Sequence, residues 1–412
     1  MIKTDVLVIG GGVIGLSVAL RMLDLGREVI LVDPAEPGSG ASYGNAGTIA
    51  DYAVLPVGSP SVLKNLPALL FNKNSPIAIR QSAIASLAPW LMRFLYQSMP
   101  RQTALNIQAI ADLVADACPR WEVLAKQIKG DSMLHRNGCL YLYVDQPAFK
   151  RGLRDIVNRQ KFGVTAEMIT PSELVKLEPT LAKVKGGAAF FPNAISINDP
   201  GKMLELLLNA VIGAGGQVQK TSATKIERDS SGVIVHLDNT SKVKSQHVVI
   251  AAGAYSRQLA RQAGDKIPLE TERGYHLEYD MDTPLLKRPS CSTEQGFYLS
   301  PMQGRLRVAG TVELGGLSPS ISAHRVEHLK RGALEFFPDL GEPNRTWLGF
   351  RPSIPDSRPV ISASKKGNDV VYAFGHGHIG LTLAPITAEA VASIIMKTPP
   401  PLPLEAYSAQ RF

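Results

Sequence analysis

"VLVIGGGVIG", residues 6–15, runs four apolar β-formers into four glycines spread over the next six positions. The chain resumes at once with "LSVALRMLDLG" (16–26), whose apolar residues recur at helical spacing. A buried strand, a turn almost without side chains and a helix are therefore expected. Gly10, Gly12 and Gly15 fit G-x-G-x-x-G. The first glycine allows the turn, the second lets the backbone approach a pyrophosphate, and the third lets helix pack on strand. The helix N-terminus, with Val13 and Ile14 in its first turn, offers free N–H groups and partial positive charge to phosphates. By itself the spacing also suits a bare turn.

"REVILVDP" (27–34) argues against that bland alternative. It reads as a second apolar strand ending in Asp33, 18 positions past Gly15, with Pro34 behind it. A carboxylate there accepts hydrogen bonds from the ribose hydroxyls of an adenosine and repels a 2′-phosphate. An ADP-type dinucleotide is the expected ligand of this unit.

At 412 residues the chain exceeds one comfortable core, so two domains are expected. Hydrophobic residues make up 45% and charged residues 19%, the balance of an ordinary globular protein. Cys118, Cys139 and Cys291 lack CxxC spacing, which argues against a metal knuckle or disulfide framework and fits a reducing compartment. Asp5 and the glycines interrupt the apolar N-terminus, so it reads as strand–turn–helix rather than a signal peptide. No uncharged run reaches the roughly 20 residues of a spanning helix. The formal charge of +8 has no basic stripe, which fits solubility better than nucleic acid.

Three later stretches choose the dinucleotide. "GSGASYGNAGTI" (38–49) places Ser42, Asn45, Ala46, Gly47 and Thr48 in a polar, glycine-rich turn beside it. "HVVIAAGAYSRQLA" (247–260) is a buried strand, then Ala252 and Gly253, then a helix. "VVYAFGHGHIGLTLAPITAEAVASII" (370–395) is again strand, glycine turn and helix. There Gly375, His376, Gly377, Gly380, Leu381 and Thr382 form a turn whose helix points its positive end at the ligand. Such an end suits the N1–C2=O edge of a reduced flavin, and an NAD enzyme has no need of it. FAD is the expected cofactor.

With these stretches the chain resembles the D-amino acid oxidase-like FAD oxidoreductases over essentially its whole length, most of all the bacterial D-amino acid dehydrogenase branch. The resemblance implies an α/β fold of glutathione-reductase type: a Rossmann-like FAD-binding domain under an α+β, mostly antiparallel substrate domain. It also implies that the FAD domain is assembled from separated segments, here 1–50, 195–258 and 345–412, with 51–194 and 259–344 forming the substrate domain. "NDPGKMLELLLNAVIGAGG" (198–216) offers Asp199 as N-cap and Pro200 at the first helical position. Residues 138–144, 271–280, 296–301 and 305–313 read as strands of the substrate sheet.

The region 55–105 mixes short apolar helical turns with prolines. It adds Trp90, Phe94 and Tyr96 and the basic Lys64, Arg80, Arg93 and Arg101. Such a segment either lies in a membrane interface or packs on the substrate domain. The dehydrogenase branch has a comparable insertion and delivers electrons to the respiratory membrane, so a cytoplasmic protein is expected, either free or peripheral on the inner face of the cell membrane.

"WLGFRPSIPDSRPVI" (347–361) fixes Arg351 among prolines. A guanidinium near a flavin can hold a carboxylate bidentately and leave the α-carbon free. The resemblance implies that role for Arg351; the alternative is a structural ion pair with Asp356 or another acid. Tyr298 matches the tyrosine that shares the carboxylate in these relatives, although strand packing also explains it. Arg273, Tyr275 and His276 are expected either at the roof of the cavity or as plain sheet residues. His376 and His378 lack a third ligand or carboxylate for a metal, and none is expected; His378 is expected to face the substrate.

The expected chemistry is oxidative deamination of a D-amino acid to the 2-oxo acid and ammonia by hydride transfer to flavin N5. The electrons pass to a quinone or other acceptor. The loop 38–49 holds neither histidine nor cysteine, so FAD is expected to be non-covalent. Alternatives are a D-hydroxyproline dehydrogenase, a glycine/sarcosine-type oxidase using oxygen, a flavoprotein acting on RNA, and a non-catalytic flavin subunit.

Overall fold

The valines and leucines of 6–9 need cover on both faces, and the fold supplies it by placing strand Ile2–Ile9 inside a parallel sheet. In the computed structural model, which describes residues 1–64, 77–80, 83–181, 183–229 and 231–412, with backbone alone at 64 and 77, five strands run parallel. Their spatial order is Gln217–Lys220, Val29–Asp33, Ile2–Ile9, Lys242–Ile250 and Gly367–Phe374. An antiparallel meander, Ala223–Asp229 and Gly232–Leu237, joins the first half of Lys242–Ile250. Val360–Ser364 closes the far side against Gly367–Phe374.

Helix Val13–Asp24 packs against helix Gly380–Met396, and both are buried along most of their length. Gly15 makes the close entry possible, since a Cβ there would stand 1.8 Å from the Gly10 carbonyl oxygen. Helix Pro200–Gly213 begins with Pro200 at its first position, and the Asp199 carboxylate accepts from Lys202 N–H at 3.1 Å.

The second sheet has nine strands and is mostly antiparallel. Its main order is Arg345–Ser353, Glu270–Asp280, Arg305–Leu314, Phe297–Met302, Ser290–Ser292, Cys139–Tyr143, Gly187–Phe191 and Glu167–Ile169, with Ile77–Ile79 beside the end of Arg305–Leu314. Residues 345–353 therefore pair in this sheet, whereas the sequence placed 345–412 whole with the dinucleotide unit. The segment alternates Trp347, Gly349 and Arg351 with Leu348 and Phe350, and it follows Glu270–Asp280 in antiparallel register. Thr48–Ile49 and Ile195–Ile197 likewise leave the first sheet to form a three-stranded one with Leu134–His135. Strands so short carry no readable period.

In the 55–105 region, residues 65–76, 81–82 and the Lys64 side chain lie outside the described residues. Trp90, expected as an interfacial anchor, is buried: it stacks on Phe94 at 5.3 Å and packs with Leu87 and Leu314 of the second sheet. Among the described residues no helix is long and apolar enough to cross a membrane.

A buried carboxylate ties three strands of the second sheet together and, through Arg307, anchors loop 38–49 to them. Glu278, 1% exposed, accepts from Arg305 Nε at 2.8 Å, Arg307 Nη2 at 2.7 Å and Arg345 Nε at 2.8 Å. Arg307, wholly buried, gives its Nη1 to the carbonyls of Tyr43 at 2.8 Å and Asn45 at 2.7 Å. Burial pushes the Glu278 carboxyl up, but Arg345, Arg307 and Arg305 overcome it and hold the pKa at about 2. Removing the charge leaves Arg307 buried and uncompensated. Glu278→Gln should thus cost about 3 kcal/mol in urea unfolding. That difference from the parent protein should be complete above the unfolded carboxylate value of about 4.3 and shrink as pH falls toward about 2.

Candidate active site

A cavity of about 1100 Å³ opens at the carboxyl ends of the parallel strands, where Ile9–Gly10, Val32–Asp33, Ala251–Gly253 and Ala373–Gly377 converge. Ligands of open α/β sheets bind in this position. Gly10 sits at φ +110°, and a Cβ there would press to 2.4 Å from the Ala251 carbonyl oxygen. Gly12 lines the cavity, and a Cβ on it would meet only Ser42 Oγ, at 3.3 Å. Its bareness leaves backbone facing empty space.

The surrounding polar groups hold the turn in shape. Asp33 Oδ2 accepts from Gly11 N–H at 2.6 Å and Oδ1 from Ala35 N–H at 2.8 Å. Each oxygen keeps acceptor capacity for a ribose hydroxyl. Ser42 Oγ accepts from Val13 N–H at 3.0 Å, which occupies one of the donors at the start of the first helix. Asn45 Oδ1 accepts from Gly47 N–H at 2.8 Å and folds the loop upon itself.

At the C-terminal turn, Gly377 N–H donates to the Pro352 carbonyl at 2.8 Å and Ile379 N–H to the His376 carbonyl at 3.1 Å. Helix Gly380–Met396 follows, and Gly380, Leu381 and Thr382 bring its first N–H groups to the cavity wall. Those groups have no acceptor within the helix. His376 is buried with Nε2 3.0 Å from Thr387 Oγ1, and burial drops its pKa to about 3. His378 lines the cavity with its side chain exposed to it. Burial, then the charges of Arg351 and Arg159, lower it to about 4. Both rings are neutral at pH 7, so neither supplies an acid there.

Val13, Ile14, Pro34, Ala46, Thr48, Ala252 and Gly253 also line the cavity. Gly15, Gly47 and Gly375 do not. Gly15 lies under its own helix, Gly47 is turned so that a Cβ would meet the Ile197 carbonyl at 2.5 Å, and Gly375 faces the Ile354 side chain at 2.6 Å. Their Cα faces are turned into the protein, where they shape the loops around the cavity.

The other end of the cavity is walled by the second sheet. Arg351 lines it and donates Nη1 to the Thr311 carbonyl at 3.1 Å. Burial lowers its pKa, and the nearby Glu272 works against that. Among the described residues Arg351 forms no salt bridge. Asp356, the alternative partner, is taken by Arg358 at 2.9 Å and Arg411 at 2.8 Å.

Tyr298 also lines this end, its hydroxyl 3.3 Å from those of Tyr52 and Tyr141. Burial raises its pKa well above the ordinary value, so the phenol stays protonated.

Arg273, Tyr275 and His276 do not form the roof. Arg273 and Tyr275 point to the opposite face of the sheet, where Glu313 Oε2 accepts from them at 2.6 and 2.7 Å. His276 is on the cavity face but lies beneath Trp347, stacked at 4.9 Å. The wall residues that the sequence reading missed are Trp347, Tyr141 and Thr311. Trp347 stands four before Arg351 in the same strand, so period two would have placed it on the same face. Tyr141 and Thr311 carry no comparable signal.

A strand-end cleft with a bare glycine turn, a ribose-type acid, a second helix N-terminus and a cationic wall defines a flavin-dependent oxidoreductase. The model of the family "FAD dependent oxidoreductase" (DAO) matches residues 5–394. A "D-amino-acid oxidase" of Bradyrhizobium diazoefficiens is 32% identical over 418 aligned positions, covering 99% of this chain and 98% of the relative. The chain belongs to the DAO family of FAD-dependent oxidoreductases.

The fold is shared with glycine oxidase from Geobacillus kaustophilus, with TM-score 0.79, 22% identity and both chains covered in full. It is also shared with L-proline dehydrogenase from P. horikoshii, with TM-score 0.76, 21% identity, and all of this chain and 98% of the other covered. The bare Gly12 backbone and the acceptors on Asp33 fit FAD. Gly12→Val would fill that approach with side chain. The variant should purify without yellow FAD absorbance; a stoichiometric flavin spectrum would remove Gly12 from the pyrophosphate site.

Proposed function

We propose that the protein deaminates a small D-amino acid to its 2-oxo acid and ammonia and passes the electrons to a quinone or another acceptor. The single observation that supports this most is Arg351, a half-buried cation on the cavity wall with no acid in salt-bridge contact with it among the described residues. A substrate carboxylate would complete the pair, and Tyr298 stands on the same wall to share it. The choice of a D-amino acid leans on the relative from Bradyrhizobium diazoefficiens. On this reading the eight-stranded sheet carries FAD through Gly10–Ile14, Asp33, Ser42–Thr48, Ala252, Gly253 and the 376–382 turn. The nine-stranded sheet carries the substrate.

Bound FAD supplies the hydride acceptor. The chain does the rest by position: Arg351 orients the α-carboxylate, the second helix N-terminus offsets negative charge, and the aromatic wall keeps water from the α-carbon. His378, an uncharged imidazole on the cavity wall at pH 7, shapes the pocket without adding a positive charge.

Exposed apolar residues support a contact with the membrane interface. Ile84, Met92 (68% exposed) and Tyr96 on helix Ile84–Gln97, with Met99 and Leu105 beyond it, stand beside exposed Arg93 and Arg101. Replacing Met92, Tyr96 and Arg93 together with serine should reduce binding to anionic vesicles and slow turnover with membrane quinone, yet spare a soluble dye. Equal loss with both acceptors means a structural role.

The decisive test of the substrate class compares an amino acid with its amide in Arg351→Lys and Arg351→Ala, beside anaerobic flavin reduction with D- and L-amino acids. Lysine keeps charge but loses the planar fork, so binding weakens. Alanine should cost on the order of 3–5 kcal/mol for the acid alone. The amide should be affected little. Equal damage to both substrates would make the arginine structural.

A further inference from the structure

Strands Glu270–Asp280 and Arg345–Ser353 pair Glu272 with Arg351, Gly274 with Gly349, His276 with Trp347 and Glu278 with Arg345. Directly paired residues share a face, and here it is the face that meets the cavity. Arg351 does not stay above its own partner Glu272. Its guanidinium leans one pair along the ladder and lies over Gly274, where a Cβ would stand 2.5 Å from both Cζ and Nη2. Trp347 leans in from the other side, over Gly349, where a Cβ would stand 1.8 Å from the indole. The Gly274–Gly349 pair is thus a gap in the side-chain layer, and two functional side chains fill it.

The third neighbour strand provides the stop. The ladder between Glu270–Asp280 and Arg305–Leu314 shifts register between Arg273 and Tyr275, so Gly274 faces a bulge that contains Thr311. Thr311 has φ +59°, a left-handed conformation that a β-branched residue adopts only under constraint. Its carbonyl accepts Arg351 Nη1 at 3.1 Å. Glu272, meanwhile, is buried and engaged by Ser353 Oγ at 2.6 Å, with no salt bridge to Arg351.

We propose that Gly274 and the Thr311 carbonyl are the positioning element of the substrate-binding arginine: the missing Cβ lets the guanidinium lie away from Glu272, and the strained carbonyl holds one edge so that the other faces the cavity. This rests on the reading of Arg351 given under Proposed function. Glu272 is the competing acceptor. Were the guanidinium displaced from Gly274, it would swing back over its cross-strand partner, and the donors meant for the substrate would be consumed there.

The test is Gly274→Ala in the FAD-loaded enzyme. The backbone at 274 is not left-handed, so it accepts alanine, and the three atoms nearest the added Cβ all belong to the guanidinium group of Arg351. A displacement of this size should cost on the order of 100-fold in kcat/KM for the amino acid, mainly through KM. Affinity for propionate, read through the flavin absorption band, should fall in parallel, while FAD content and the unfolding midpoint stay unchanged. Adding Glu272→Gln should restore part of the propionate affinity, because the competing acid is gone. In an Arg351→Ala background, Gly274→Ala should have no further effect. Unchanged propionate affinity in Gly274→Ala overturns the proposal, as does an equal loss in the Arg351→Ala background. If Arg351→Ala itself leaves propionate affinity intact, the reading of Arg351 fails first and takes the positioning role with it.

Discussion

The attachment of loop 38–49 to the second sheet governs the rest of the structure, and it runs through one buried charge pair. Arg307 can be wholly buried only because Glu278 neutralises it, and it spends its remaining donors on the carbonyls of Tyr43 and Asn45. The loop so held supplies Ser42, Asn45, Ala46 and Thr48 to the cavity. It also supplies the cap on Val13 N–H. The cavity between the two sheets keeps its shape only at a fixed spacing of its walls. Here the spacing depends on a carboxylate that three arginines hold ionised.

Around that tie the cavity divides by chemistry. At the dinucleotide end the acceptors and donors are largely backbone or the short side chains of Asp33 and Ser42, which suits a ligand common to many enzymes. At the other end the wall is made of large side chains on strands: Arg351, Tyr298, Tyr141 and Trp347. The histidines of the 376–378 turn are uncharged at pH 7, so positive charge at this end of the cavity comes from Arg351 and the helix N-terminus.

The small residues of the second sheet matter as much as the large ones. Gly274 and Gly349 leave room for Arg351 and Trp347. Gly44 does the same on the loop, since a Cβ there would collide with Trp347 at 2.0 Å. Three missing side chains on three segments thus form one cradle, although no two of them are neighbours in sequence.

The sequence by itself determined the dinucleotide unit, because each of its signals is local. A glycine turn between a strand and a helix, an acid at a strand end and Pro200 behind Asp199 are all read within a few residues. Arg351 stands out through the resemblance of its G-x-R-P stretch, and the fold places it on the cavity wall. Tertiary structure alone decided where Arg351 points, that residues 345–353 pair with the second sheet, and that Trp90 turns inward onto Leu314. It also decided that Arg273 and Tyr275 lie on the far face and that Asp356 belongs to Arg358 and Arg411. Those outcomes depend on strand register and on which neighbour fills which gap. Both are set by contacts between segments far apart in the chain, where no local pattern records them.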